Sequence, residues 1–111
     1  MGRFELVRAR FVYTGIRVRD LARSVRFYTE RMGMKVTYRS KIAKTKGEIV
    51  ELKSPGGNQV LELNWYPDQE KYVNGDEVDH LAFDVDDVDA AVEELRSPWN
   101  LSTKVRAASH L

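Results

Sequence analysis

The sequence predicts an α+β fold made of one βαβββ unit and an incomplete second copy of it. Residues 13–21 are echoed by residues 80–88, and in each copy an alternating stretch runs into an Asp and then a helical stretch. Residues 11–18 alternate and are rich in β-branched and aromatic side chains, as strands are. Residues 54–58 (Ser-Pro-Gly-Gly-Asn) are a strong turn signal between two further strand-like stretches.

Each element of the first unit follows from local pattern. After the strand at 11–18, Asp20 is a predicted N-cap for a helix over 22–32, whose apolar residues recur at spacings of three and four. Gly33 is expected to end that helix in a left-handed conformation. Strands are then predicted at 34–39, 48–53 and 59–65, the last two paired as a hairpin.

The second unit is predicted to begin with a strand at 78–85. Asp86 or Asp87 is then the predicted N-cap of a helix over 88–96. Ser97-Pro98-Trp99 is expected to interrupt that helix, and the tail at 97–111 has no regular pattern. Too few residues follow for a complete copy, so the second unit is expected to lack its last three strands. We therefore predict a single domain over 1–111, with a first module at 11–66 and a partial second module at 78–96.

Composition excludes several classes of function. The net charge of +1, from 18 basic and 17 acidic residues, provides no overall field that favours nucleic acid or an anionic membrane. With no cysteine, the chain has no disulfide, no thiolate zinc site and no cysteine nucleophile. The sequence shows neither an apolar run of about 18 residues nor a signal-peptide pattern, so we expect a cytoplasmic protein.

Alternation along the strands identifies candidate functional residues. Tyr13, Gly15 and Arg17 share one face of the first predicted strand, and a small residue beside larger polar ones leaves room for a ligand. Glu62 lies between apolar neighbours in a predicted strand whose other residues are typical of a buried strand. A buried carboxylate needs a charged or hydrogen-bonding partner or a metal. Glu62 and His80 form a candidate oxygen–nitrogen ligand pair. The alternative from spacing alone is that Glu62 pairs with an arginine and His80 is an ordinary strand histidine.

Several segments together resemble the glyoxalase I branch of the vicinal oxygen chelate superfamily, which also includes bleomycin-resistance proteins and extradiol dioxygenases. The resemblance runs from about Phe11 to Leu95. It is carried by the stretch from Tyr13, by Arg23-Ser24-x-x-Phe27-Tyr28, by Leu61-Glu62-Leu63, and by Asp79-His80-Leu-Ala-Phe. It implies a cupped mixed sheet with helices on its outer face and a divalent metal on its concave face.

The resemblance also implies roles for individual residues. Glu62 and His80 match metal ligands, and Arg17 matches an arginine that binds a carboxylate of glutathione. Tyr13 stands where relatives usually have His or Gln, and it is better suited to a hydrogen bond with substrate or metal-bound water, as its ordinary pKa of about 10 disfavours the ionised form. The family's fourth ligand, a glutamate on the last strand of the second module, has no counterpart in this chain.

The function implied by the resemblance is a metal-dependent lyase that isomerises the hemithioacetal of glutathione and a 2-oxoaldehyde. Nickel, zinc or manganese would be the metal, Glu62 the proton-transferring carboxylate, and a homodimer the expected assembly. The alternative is a metal-free small-molecule binding module of the antibiotic-resistance type, with Tyr13, Trp65 and Tyr66 lining an aromatic pocket. An extradiol dioxygenase is disfavoured because Tyr13 replaces one of the two histidines that iron requires.

Overall fold

The computed structural model describes residues 6–68 and 80–99 of the chain. The chain forms two compact units, Met1–Tyr72 and Val73–Leu111. The predicted tail beyond residue 99 and the predicted strand start at 78–79 lie outside the described residues. Among the described residues, neither helix has the length and apolar character that crossing a bilayer requires.

The first unit has the predicted βαβββ order. Its strands are β1 (Thr14–Arg17), β2 (Lys35–Ile42), β3 (Gly47–Lys53) and β4 (Val60–Trp65). Helix α1 (Leu21–Arg26) and a π-helical segment (Phe27–Arg31) lie between β1 and β2. Strand β2 extends three residues further than predicted, because its pairing with β3 continues to the turn that joins them.

The four strands form one mixed sheet in the order β1-β4-β3-β2, which confirms the predicted mixed α+β architecture. Strand β1 is parallel to β4, and the other pairs are antiparallel. In the predicted hairpin turn, the Gly57 N–H donates to the Ser54 carbonyl at 3.0 Å. Gly56 has φ of 76°, a left-handed conformation that glycine adopts without steric cost.

The helical region starts as predicted and then departs from a regular α-helix. Asp20 caps α1, and its Oδ1 accepts the Arg23 N–H at 3.0 Å. Further along, the Thr29 hydroxyl donates to the Val25 carbonyl at 2.7 Å, and the Met32 N–H donates five residues back to Phe27 at 3.1 Å. A hydroxyl that donates to a carbonyl in the preceding turn competes with the backbone N–H groups for that carbonyl. This competition agrees with the wider, π-helical turn that follows. Gly33 ends the region with φ of 73°, as expected.

The apolar core of the first unit lies on one face of the sheet. Val50 pairs with Leu63 across β3 and β4, and Leu52 pairs with Leu61. Val50, Leu52 and Leu63 have no exposed surface, and Leu61 is also buried. Leu21, the first residue of α1, is buried as well, and α1 packs against β4. The opposite face of the sheet is consequently the one free to carry polar groups.

The second unit contains helix α2 (Val88–Trp99). Asp87 caps it, and its Oδ1 accepts the Ala90 N–H at 3.0 Å. The predicted interruption at Ser97-Pro98-Trp99 is wrong, since α2 continues to Trp99. Pro98 lies in the last turn, where its missing N–H removes a single hydrogen bond.

The strand predicted at 78–85 is also not observed over the described part of it, residues 80–85. A strand is defined by hydrogen bonds to a neighbouring strand, and no strand pairing among the described residues includes this stretch. Its alternating pattern resembles that of β1, but β1 has β4 beside it to complete its ladder.

Candidate functional site

A row of four residues crosses the sheet of the first unit on the face opposite the core. In register, Gly15 of β1 lies beside Glu62 of β4, Glu62 lies opposite Glu51 of β3, and Glu51 lies opposite Tyr38 of β2. Directly opposed residues in a sheet point to the same face. The centre of this row is therefore a pair of carboxylates, placed there by strand register.

Glu62 is the buried member of this carboxylate pair, with an exposed fraction of 8%. A hydrogen bond with Glu62 raises the pKa of Glu51 above its ordinary value of 4.5, and burial and the neighbouring negative charge raise it further. Like charges directly opposed across two strands are destabilising when both are ionised. A proton shared between the two carboxylates, or a cation bound beside them, would relieve this repulsion.

Gly15 leaves space beside the buried carboxylate. A Cβ atom at Gly15 would lie 3.5 Å from Glu62 Oε1 and 3.1 Å from Asn64 Nδ2. The second contact is tighter than side chains normally accept, so glycine keeps the approach to both groups clear. The predicted role of Gly15 in leaving room on this face agrees with this geometry.

Arg17 lies one same-face position beyond Gly15 along β1, opposite Asn64 of β4. Its guanidinium carbon lies 4.7 Å from the centre of the Tyr66 ring, within the range of a cation–π interaction. The backbone of Gly47 lies close to the same ring, since a Cβ there would lie 2.7 Å from Tyr66 Cδ1. Gly47 thereby allows Tyr66 to occupy its place beside Arg17.

An open depression of about 740 Å³ begins at this arginine. It is formed where β1 and β4 end and where the turn between β2 and β3 approaches them. Its lining residues are Arg17, Lys44, Thr45, Lys46, Tyr66, Pro67 and Asp68. Among these described residues, three side chains are cationic and one is acidic, so their summed charge is positive.

The structure brings together some of the predicted site residues. Glu62 and Arg17 occupy same-face positions of neighbouring strands. Tyr13 lies immediately before β1 and is 45% exposed. Trp65 is two residues beyond Leu63 and so shares the core-side face of β4 with it, away from Glu62. His80 is an exposed residue of the second unit, and its pairing with Glu62 as a metal ligand stays a prediction.

Three residues of this region were not singled out by the sequence: Glu51, Lys44 and Lys46. Glu51 had a usable signal, because the turn at 54–58 and strand alternation together place it opposite Glu62. The lysines had none, because only the folded hairpin carries its turn to the end of β1.

A divalent metal suits the buried part of this site. Glu62 offers a hard oxygen ligand, and the adjoining Glu51 carboxylate leaves negative charge that a cation would offset. Within residues 6–68 and 80–99, however, no group of three or more metal-ligating side chains is assembled. Glu62 therefore fits as one ligand of such a centre.

The fold and this site define a glyoxalase-type module. Residues 10–98 match the family model described as Glyoxalase/Bleomycin resistance protein/Dioxygenase superfamily, and the chain belongs to this superfamily. The match covers the first unit from before β1 and extends into α2, in agreement with the predicted resemblance.

The chain is also similar to individual proteins of this superfamily. The chain is 33% identical over 90 residues to the lactoylglutathione lyase of Haemophilus influenzae, covering 78% of this chain and 65% of that protein. It is 34% identical to the lactoylglutathione lyase of Escherichia coli O157:H7, covering 78% and 66%. A solved structure of the trypanothione-dependent glyoxalase I of Leishmania major has a TM-score of 0.70 and 36% identity, covering 79% and 65%. The chain thus spans about 65% of the length of these relatives.

Proposed function

We propose that this protein acts as a glyoxalase I-type lyase on a hemithioacetal formed from glutathione and a 2-oxoaldehyde. The similarity to proteins named lactoylglutathione lyase supports this reaction class. The observation that carries it is Glu62, a buried carboxylate that faces a second carboxylate and opens toward Gly15. Folding alone disfavours such an arrangement, which is typical of a site that binds a cation or moves a proton.

Glu62 is the residue proposed to move the proton. In the isomerisation, one proton leaves the carbon that carries sulfur and hydroxyl, and a proton arrives at the adjacent carbonyl carbon. The hydroxyl-bearing carbon loses its hydroxyl proton and becomes the thioester carbonyl, while the former carbonyl oxygen gains a proton and becomes the product hydroxyl, so atoms and electrons balance without an oxidant. A carboxylate within reach of both carbons can take the proton from one and return it to the other. The space beside Gly15 is where a substrate could approach Glu62.

Arg17 is proposed to hold a carboxylate of glutathione. Its planar guanidinium suits a carboxylate, and its position against the Tyr66 ring orients it beside the depression. Tyr13 is proposed as a further substrate contact at the start of β1.

Nickel, zinc or manganese, held by Glu62 and His80, is the proposed metal. When bound, such a metal would supply positive charge that stabilises the oxygen on which negative charge develops.

A homodimer is the proposed assembly. Among the described residues, strand β1 pairs only with β4 and so forms one edge of the sheet in the first unit. The segment that leads into β1 carries large exposed apolar side chains at Leu6, Val7, Phe11 and Val12. An unpaired edge beside apolar surface favours association with another chain. Light scattering across a concentration series would test this, and a monomer at all concentrations would contradict it.

Metal binding tests the proposed function directly. Chelator-treated protein is titrated calorimetrically with nickel, zinc and manganese, beside Glu62→Gln and His80→Ala. Glu48→Gln is the matched control, because Glu48 lies in β3 but on the other face from Glu51. We expect saturable binding that both site variants lose and the control keeps, followed by hemithioacetal turnover.

Two results would contradict this proposal. One is binding that is equal in Glu62→Gln and Glu48→Gln. The other is a thermal midpoint that neither metal nor chelator changes, which would favour the metal-free binding module instead.

A further inference from the structure

The turn between β2 and β3 holds a lysine in a conformation that lysine does not favour. Lys46 has φ of 59°, and it is the only non-glycine residue with positive φ among the described residues. Its N–H donates to the Ile42 carbonyl at 2.8 Å, which closes the turn. A residue with a side chain that adopts this left-handed backbone conformation costs on the order of 1 kcal/mol relative to glycine. Retaining lysine there is explained if its side chain has a use.

Lys44 and Lys46 both line the depression that Arg17 and Tyr66 border. Neither lysine has an ion-pair partner within the part of the chain that the structure describes. Among the described residues of the lining, Asp68 is the one acidic residue. Positive charge gathered in a concave surface attracts anions and raises their local concentration. The depression therefore has the electrostatic character of an anion site.

The position of the depression relates it to the carboxylate pair. Arg17 is two residues beyond Gly15, the register partner of Glu62, which corresponds to about 7 Å along a strand. A tripeptide spans roughly 10 Å when extended. A ligand of that size, anchored in the depression, reaches back to Glu62. The volume is also in the range of small-molecule sites, roughly 300–1,000 Å³.

We infer that Lys44 and Lys46 bind a second carboxylate of the thiol co-substrate, in addition to the one proposed for Arg17. The site would then select thiols that carry two carboxylates over thiols in which one is amidated. The identity of the ligand rests on the proposed function, whereas the anion site rests on the lysines, the depression and its charge.

The test uses S-methylglutathione, which has both carboxylates but no reactive thiol, and its analogue with the glycine carboxylate amidated. Dissociation constants of both are measured by calorimetry for the 111-residue protein, for Lys44→Ala/Lys46→Ala, and for the control Lys41→Ala. Lys41 lies just before the same turn and does not line the depression. Thermal midpoints of all variants report on folding.

We expect the wild type to bind the amidated analogue roughly fivefold more weakly than S-methylglutathione, as for a partly exposed charge pair. The double variant should bind both about equally weakly, and Lys41→Ala should behave as wild type. Lys46→Gly should unfold at a slightly higher temperature while also losing affinity. This combination identifies the lysine as retained for binding.

Two results would overturn the inference. One is equal affinity of the wild type for both ligands, and the other is a double variant that still discriminates between them. The proposed lyase function fails separately, by absence of metal-dependent hemithioacetal turnover. Discrimination without turnover would support the anion site alone, and turnover without discrimination would overturn the anion site alone.

Discussion

The two faces of the sheet in the first unit differ sharply, although the same strands form both. On the core face, Val50 and Leu63 oppose each other with no exposed surface. At the next register position, one residue after Val50 in β3 and one residue before Leu63 in β4, the side chains point to the other face, and Glu51 opposes Glu62. The apolar pair stabilises the fold through burial, whereas the carboxylate pair works against it unless a proton or cation is present.

Within a single strand, therefore, the residues that face the core stabilise the fold, and the residues that alternate with them form the candidate site. A substitution on the core face should lower stability and reduce function only through folding. A substitution on the other face should change binding with less effect on folding.

Leu63→Ala should produce the largest effect. The side chain is fully buried, so its truncation removes apolar burial and leaves a cavity. We expect a loss of about 2–5 kcal/mol in the free energy of unfolding, measured by urea denaturation. Ile49→Ala is the comparison, because Ile49 is only half-buried and lies on the face of Glu51. Equal losses in the two variants would contradict the distinction between the faces.

Gly47→Ala should have an intermediate effect. The new Cβ would lie 2.7 Å from Tyr66 Cδ1 and 2.8 Å from the Trp65 carbonyl oxygen, so the ring or the backbone must shift. We expect roughly 1–3 kcal/mol of destabilisation, together with weaker binding in the depression as Tyr66 moves from Arg17. Gly57→Ala should change stability by less than about 0.5 kcal/mol, because its nearest contacts are at an ordinary 3.4 Å. A tolerated Gly47→Ala would show that Tyr66 is not closely confined.

Glu51→Gln should have the smallest effect, and it should depend on pH. The hydrogen bond to Glu62 raises the Glu51 pKa in the folded protein, so the folded state holds its proton to higher pH than the unfolded chain. The stability from this group is complete below its ordinary pKa of 4.5 and is lost as pH rises through the folded value. The stability of metal-free wild type relative to Glu51→Gln should therefore fall with increasing pH above about 4.5. A difference that does not vary with pH would contradict this coupling.

Much of the first unit could be predicted because the signals are local. Asp20 precedes an apolar helical stripe, Gly33 follows it, and both act where expected. The hairpin turn at 54–58 needed only its own residue types. The strand at 78–85 was wrongly predicted for residues 80–85, because alternation shows what a strand would look like but cannot supply the partner that completes it.

Only some residues of the candidate site could be identified from local signals. Glu62 and Arg17 were accessible from alternation and resemblance. Trp65 was expected to contact substrate, yet its place on the core-side face does not group it with them. The π-helical segment also went unpredicted, because it involves a hydroxyl bonding to the preceding turn rather than a change in apolar spacing.

Local sequence patterns were sufficient to identify the residues that face the core, the position of the hairpin turn, and the carboxylate that is flanked by apolar neighbours. These follow from period, caps and turn chemistry, which act over a few residues. Tertiary structure alone decided that Glu51 opposes Glu62, that Tyr66 lies against Arg17, and that Lys44 and Lys46 join them around one depression. Those juxtapositions depend on strand order and register, and residues distant in the chain meet only once the sheet has formed.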